Sequence, residues 1–289
     1  MTLPPVTTSR HHRRIVVGVD GSALSLSALD WAQDLCTSDD ELHVVTCGPS
    51  STRARSEREW LDHRAMAQSS HHVLDRAAAR GLTEFAVEID ADLLVVGAHG
   101  GSIVSPRVLG SVAHSLLRAC PCPIAIVTES CAVSNDASVV VGVGDGPATR
   151  AAIDWAVGFA ATEQRTIDLV RAVKLRPIFG VDRAEEVLAA YIDTGLLMDW
   201  AREEVDLVAT EVTALGLEVT KNVTAGRAGR RIVDASKDAR VVVVGKHFDG
   251  PITGYFTGVT LHHVLTHANC PVVVVAASET DDGSNAAAS

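Results

Sequence analysis

The sequence predicts an α/β protein built from two repeated, doubly wound, mostly parallel-sheet domains. Three observations carry this expectation. Short, wholly apolar runs such as Leu93-Leu94-Val95-Val96 and Val241-Val242-Val243-Val244 stop at glycine. They are too short for helices and read as strands covered on both faces. Stretches of helical spacing alternate with these runs, the signature of strands connected by crossover helices. After a polar linker the whole order of signals recurs, which marks an internal repeat.

Taken in order, residues 1–13 read as a flexible arm and 15–19 as the first strand. Ser22 is placed to cap a helix whose apolar stripe includes Leu26, Leu29 and Trp31. Residues 42–47 form the second strand. The charged, alanine-rich stretch 53–80 reads as a long helix, and 83–90 as a short helix capped by Thr83. The strand at 93–96 leads into a glycine-rich loop with Gly97, Gly100 and Gly101. Gly110 and Ser111 open a helix carrying Val112, Leu116 and Leu117, which Pro121 and Pro123 stop before a strand at 124–127. Residues 128–138 are the linker. The second half then gives strands at 139–143, 167–173, 217–223, 241–244 and 271–275. Helices are expected at 153–161, within 182–214 and at 228–238, and 278–289 reads as a disordered tail. The domains are set at 14–128 and 138–277.

With 289 residues, 47% of them hydrophobic and 21% charged, the chain can bury two cores. Aromatic content of 4% makes those cores aliphatic. A formal charge of −11 disfavours nucleic acid as a partner, because phosphates would be repelled. The run His11-His12-Arg13-Arg14 and the acidic run Asp39-Asp40-Glu41 read as solvated. Residues 1–14 lack the apolar centre of a signal peptide, and no window approaches the roughly 18 apolar residues of a membrane span. The six cysteines lie mostly in apolar segments and read as reduced thiols of a cytoplasmic chain. Cys120-x-Cys122 lacks the two-residue spacing of zinc or thioredoxin-type sites and reads as a pair of inert thiols. The doublets His71-His72 and His262-His263 read as surface residues, and no metal site is expected.

The loop is the most informative stretch. Backbone N–H groups freed at a helix start favour anions, and glycine lets the main chain approach them. The pattern Gly97-x2-Gly100-x9-Gly110-Ser111 resembles the G-x2-G-x9-G-(S/T) nucleotide loop of the universal stress proteins. Cys120-Pro121-Cys122-Pro123 is similar to that family's CPV segment before the last strand. The repeat makes the chain similar to the tandem form of the family. The resemblance implies a Rossmann-like sheet of strand order 3-2-1-4-5 in each half. It also implies association of the two halves through their last strands, 124–127 and 272–275, across a pseudo-two-fold.

By the same resemblance, Asp20 at the end of the first strand contacts the adenosine portion of ATP. Cys47, ending the second strand where the family usually has valine, packs near the base. Gly97, Gly100, Gly110 and Ser111 wrap the phosphates, with His99 and Arg107 the nearby cations. Asp20 has a plainer reading as an organiser of the helix start, and the glycine turn one as a ligand-free strand–helix connection. Laid on the first half, the second places Gly245 on Gly97, Phe248 on Gly100, Gly258-Val259 on Gly110-Ser111 and Gly144 on Asp20. A benzyl group, a missing hydroxyl and a missing carboxylate mark this half as structural. Asp20 to Gly97 spans 77 positions against 101 from Gly144 to Gly245, so the first half is expected to lack the edge strand answering 217–223.

The function expected is that of a cytoplasmic tandem universal stress protein binding ATP, with or without magnesium, in its first half. It would serve stress adaptation as a regulatory binder and a homo-oligomer, not as a dedicated enzyme. The alternative is a nucleotide-free interaction scaffold of the same fold.

Overall fold

The computed structural model of the chain describes residues 12–48, 69–100, 108–128, 137–174, 184–246 and 258–277, with the side chains of 184–193 outside that description. Residues 1–11 of the expected arm, most of the linker, the tail, Arg107, Cys131, His247 and Phe248 lie outside it too. The first half runs β1 (Arg14–Gly18), α1 (Ala23–Leu35), β2 (Glu41–Cys47), β3 (Ser69–Leu74), α2 (Ala78–Glu88), β4 (Leu93–Gly97), α3 (Ser111–Ala119) and β5 (Ile124–Val127). The second runs β6 (Ser138–Gly142), α4 (Pro147–Glu163), β7 (Ile167–Val173), α5 (Ala184–Ala214), β8 (Val219–Ala225), α6 (Ala228–Ala235), β9 (Ala239–Lys246), α7 (Val259–His267) and β10 (Val272–Ala276).

The strands form one sheet in the order β3-β2-β1-β4-β5-β10-β9-β6-β7-β8. Each half thus has the order 3-2-1-4-5 with parallel pairing throughout. The two halves meet back to back, where β5 and β10 pair antiparallel with Val273 opposite Ala125. That is the association through the last strands that the family resemblance implies. The strands are valine-rich because both faces are covered. Alternate residues feed two cores that run unbroken across the seam. Val17, Val95, Val127, Val141 and Val273 face α1, α4 and α5, while Val16, Leu94, Ile126, Val242 and Val274 face α2, α3, α6 and α7.

Three sequence expectations are corrected here. First, the first half does not lack an edge strand: β3 pairs in parallel with β2 over six residues, from Leu42 opposite Ser69 to Cys47 opposite Leu74. Its sequence, SSHHVL, hides it, because an edge strand without a fully buried residue needs no apolar run. The length difference lies instead in one connection. Between β2 and β3 there are 21 residues, and between β7 and β8 there are 45, a difference of 24 that accounts for all of 101 against 77.

Second, the helix after β3 starts at Ala78, with Ala77 as N-cap. Thr83 lies inside it, its hydroxyl donating back to Ala79 O at 2.8 Å. Third, Asp40 is not solvated. Its side chain is 2% exposed and accepts a two-point bond from Arg13, at 3.1 Å from Nε and 2.7 Å from Nη2. The basic and acidic runs therefore neutralise each other at the start of β2, where His12 also meets Glu41 at 2.8 Å.

Candidate functional site

The chain leaves the sheet after β1 with Val19 N–H donating to Val45 O at 2.9 Å, and then turns through Gly21 at φ +82°. Asp20 organises this turn: its Oδ1 accepts the Ser22 N–H at 2.9 Å, and its own N–H donates to Ser25 Oγ at 3.3 Å. Ser22 caps α1 by accepting the Ser25 N–H. The plainer reading of Asp20 therefore holds, but it uses one carboxylate oxygen. The other, Oδ2, lies against Gly100, where a Cβ would come within 2.6 Å of it. An exposed carboxylate at the end of β1 and the second loop glycine after β4 are thus brought into contact.

Gly97 has a different reason to be glycine. A Cβ there would stand 2.9 Å from the carbonyl carbon of Leu24, in the first turn of α1. Its counterpart Gly245 is tighter still, with Ala148 O at 2.2 Å from such a Cβ. Both halves keep this glycine although the rest of the loop differs, so close packing of strand end on helix start accounts for it. Gly110 is buried and donates its N–H to Ala98 O at 2.8 Å, with His99 Cα 3.0 Å from where its Cβ would be. It is the N-cap of α3 without a side-chain bond, and Ser111, the first helical residue, is exposed. The start of α3 therefore lies directly on residues 98–99, with backbone amides that no capping side chain takes up.

His99, in the sequence only a cation near the loop, has a more definite place in the fold. Its Nδ1 is 3.4 Å from Gly100 O, while Nε2 is buried without a hydrogen-bond partner among the described residues. A buried polar atom in that state calls for a ligand or water. A lone histidine carries no periodic signal, so only its place between two loop glycines marks it. Cys47 sits at the C-terminal end of β2 with its sulfur against Gly81 of α2, where a Cβ would be 2.9 Å away. Burial pushes its thiol up, and the side chain packs against the core on that face of the sheet.

The second half is built differently at the same place. Gly144 keeps the backbone bond, donating to Thr149 Oγ1 at 3.1 Å as Asp20 does to Ser25, but brings no carboxylate. Asp145 is held by Arg171 at 2.7 Å, and Arg171 also reaches Glu204 at 3.0 Å and Val143 O at 3.3 Å. In the strand registers Arg171 answers the buried Thr46. An ion-pair cluster thus spans these strand ends. Val259, in place of Ser111, is 91% exposed and offers no hydroxyl. The position answering Gly100, Phe248, lies outside the described residues.

The model of the universal stress protein family matches residues 11–128 and again 137–276. The chain belongs to the universal stress protein family. It is similar to the Mycobacterium tuberculosis universal stress protein Rv2005c, at 30% identity over 64% of this chain and 62% of that protein, so the match spans less than two thirds of that relative. The M. tuberculosis universal stress protein Rv2623 is 26% identical over 92% of this chain and 97% of its own length. A universal stress protein structure from Archaeoglobus fulgidus shares the fold at a TM-score of 0.67 and 15% identity, covering 92% of this chain and 97% of that one. The tandem universal stress architecture read from the repeat is therefore established. Among the described residues no helix is long and apolar enough to cross a membrane.

Proposed function

We propose that the first half of this universal stress protein binds ATP or a related adenine nucleotide, and that the chain serves stress adaptation in the cytoplasm as a regulatory binder. The observation that carries this reading is the contact of Gly100 with Asp20, beside the buried Nε2 of His99, which has no hydrogen-bond partner among the described residues. The Asp20 carboxylate is an acceptor suited to ribose hydroxyls. The amides of 99 and 100, the start of α3, the Ser111 hydroxyl and His99 are donors suited to phosphate. Cys47 supplies apolar surface toward the base. Magnesium would enter on the nucleotide: Asp20 is the carboxylate at the loop, and phosphates and water complete the shell such an ion prefers. Positions 97–111 hold no lysine of the kind that P-loops set on the β- and γ-phosphates, which favours binding over efficient hydrolysis.

A second reading, the nucleotide-free scaffold, draws on one observation. Leu196, Trp200 and Leu207 share a face of α5 and are 64%, 56% and 68% exposed, an apolar stripe that suits self-association of the chain. Equilibrium dialysis with labelled ATP separates the two. The nucleotide reading expects saturable binding that Gly100→Val removes and substitution of Phe248 leaves intact. Absence of binding at millimolar ATP leaves the scaffold alone.

A further inference from the structure

Far from the glycine loop, at the other end of α3, two sulfurs and a cation meet. Cys120 is the C-cap of α3; its N–H donates to Leu116 O at 2.8 Å, and its extended backbone turns the chain out through Pro121. This turn sets Cys120 Sγ 3.6 Å from Cys122 Sγ, with both residues partly exposed. From the other half of the chain, the buried Lys246 at the end of β9 donates its ammonium to Leu117 O, a carbonyl of the last turn of α3. The repeat is instructive here: the second half has Ala268 where Cys120 stands, so the pair belongs to the first half only.

We propose that Cys120 and Cys122 are a modification site, a thiol pair that hydrogen peroxide converts reversibly to a disulfide, with Lys246 as its cationic neighbour. The spacing reads as two inert thiols in the sequence, but the fold holds the two sulfurs 3.6 Å apart, in contact with each other. The two are unequal. The Cys122 S–H hydrogen bond, then the Cys122 backbone, and least the Lys246 charge draw the Cys120 thiol down against opposing burial, while the same thiol bond and burial keep the proton on Cys122. Burial instead pushes Cys36 up to about 11 and raises Cys47. One sulfur is therefore the nucleophile and its neighbour the resolving thiol.

The Cys120 thiolate attacks a peroxide oxygen, the O–O bond breaks, and the departing hydroxide takes a proton to leave as water. Cys120 is now a sulfenic acid. The Cys122 sulfur attacks it, the S–O bond breaks, and the hydroxyl leaves with the Cys122 proton as a second water while the S–S bond forms. The two thiols lose two electrons in total and the peroxide gains them. This inference does not rest on the nucleotide reading.

The test treats the reduced full chain with equimolar hydrogen peroxide and follows it by intact mass and by peptide mapping of alkylated cysteines. The pair should lose two hydrogen masses and escape alkylation together, while Cys36, Cys47, Cys131 and Cys270 stay alkylated, and dithiothreitol should restore it. Cys122→Ser should instead accumulate a dimedone-trappable sulfenic acid at Cys120, and Cys120→Ser should abolish the fast reaction. Lys246→Met should slow it on the order of tenfold. Oxidation beginning at any other cysteine, or a Cys120→Ser chain reacting like wild type, overturns the proposal. An unchanged rate in a folded Lys246→Met chain removes the lysine from it.

Discussion

Single residues of one type do different work in this loop, and substitutions separate them. Adding a methyl at Gly97 meets the backbone of Leu24, which cannot move without shifting α1. Gly97→Ala should therefore destabilise the chain by about 1–3 kcal/mol. At Gly100 the methyl meets only a carboxylate oxygen of the exposed Asp20, which can rotate away. Gly100→Ala should change stability by less than about 0.5 kcal/mol yet weaken nucleotide binding; urea denaturation paired with dialysis reads both. All four glycine and serine positions were legible as a motif, but the motif could not tell packing from ligand approach. Charge runs were misread for a related reason: Asp40 and Arg13 are far apart in sequence, and only the fold closes them into a pair. Burial pushes the Asp40 carboxyl up, but hydrogen bonds from Arg13 and from the Thr37 N–H outweigh this and bring it down to about 2. Against about 3.9 when unfolded, that depression contributes on the order of 2 kcal/mol. The contribution is full above about pH 4 and fades as pH falls toward 2. Asp40→Asn should lose it at neutral pH and flatten the acid limb of the stability curve measured by urea denaturation.

Elements were legible wherever burial dictated composition. The central strands β1, β4, β6 and β9 announce themselves as valine runs because both of their faces are covered. The edge strand β3 escapes the sequence reading because none of its residues is fully buried, and because it lies inside the charged, alanine-rich stretch 53–80 that reads as a long helix. What holds β3 is a small cluster on one face: His72 packs on Phe85 of α2 at 4.5 Å between ring centroids and meets His43 of β2 at 3.2 Å between nitrogens. Burial, and then the nearby His43 and His71, lower the His72 pKa. A histidine lowered in this way favours the fold as neutral imidazole. Its contribution is full above the unfolded value of about 6.5 and is lost as pH falls through the folded value. Protection factors of the amides in 69–74, corrected for intrinsic exchange, should fall on acidification below about pH 6.5, ahead of those in β1 and β4. His72→Gln should remove that pH dependence.

At the scale of the molecule, two copies of one fold share a sheet and two cores but differ at the loop. Gly97 and Gly245 show what the fold demands of both, and Asp20 with Gly100 against Arg171 with Asp145 shows where the copies part. The tandem order and the back-to-back seam follow from the repeat and the family pattern. The Arg171 cluster does not, because it joins residues of β7, α5 and the β6–α4 turn that no local pattern links. The proposed function is thus asymmetric, a single nucleotide place in a duplicated chain. The stoichiometry of labelled ATP at saturation, measured by equilibrium dialysis on the full chain, tests it most directly. One nucleotide per chain, lost in Gly100→Val, is the predicted result; two per chain, none, or one that survives Gly100→Val would contradict it.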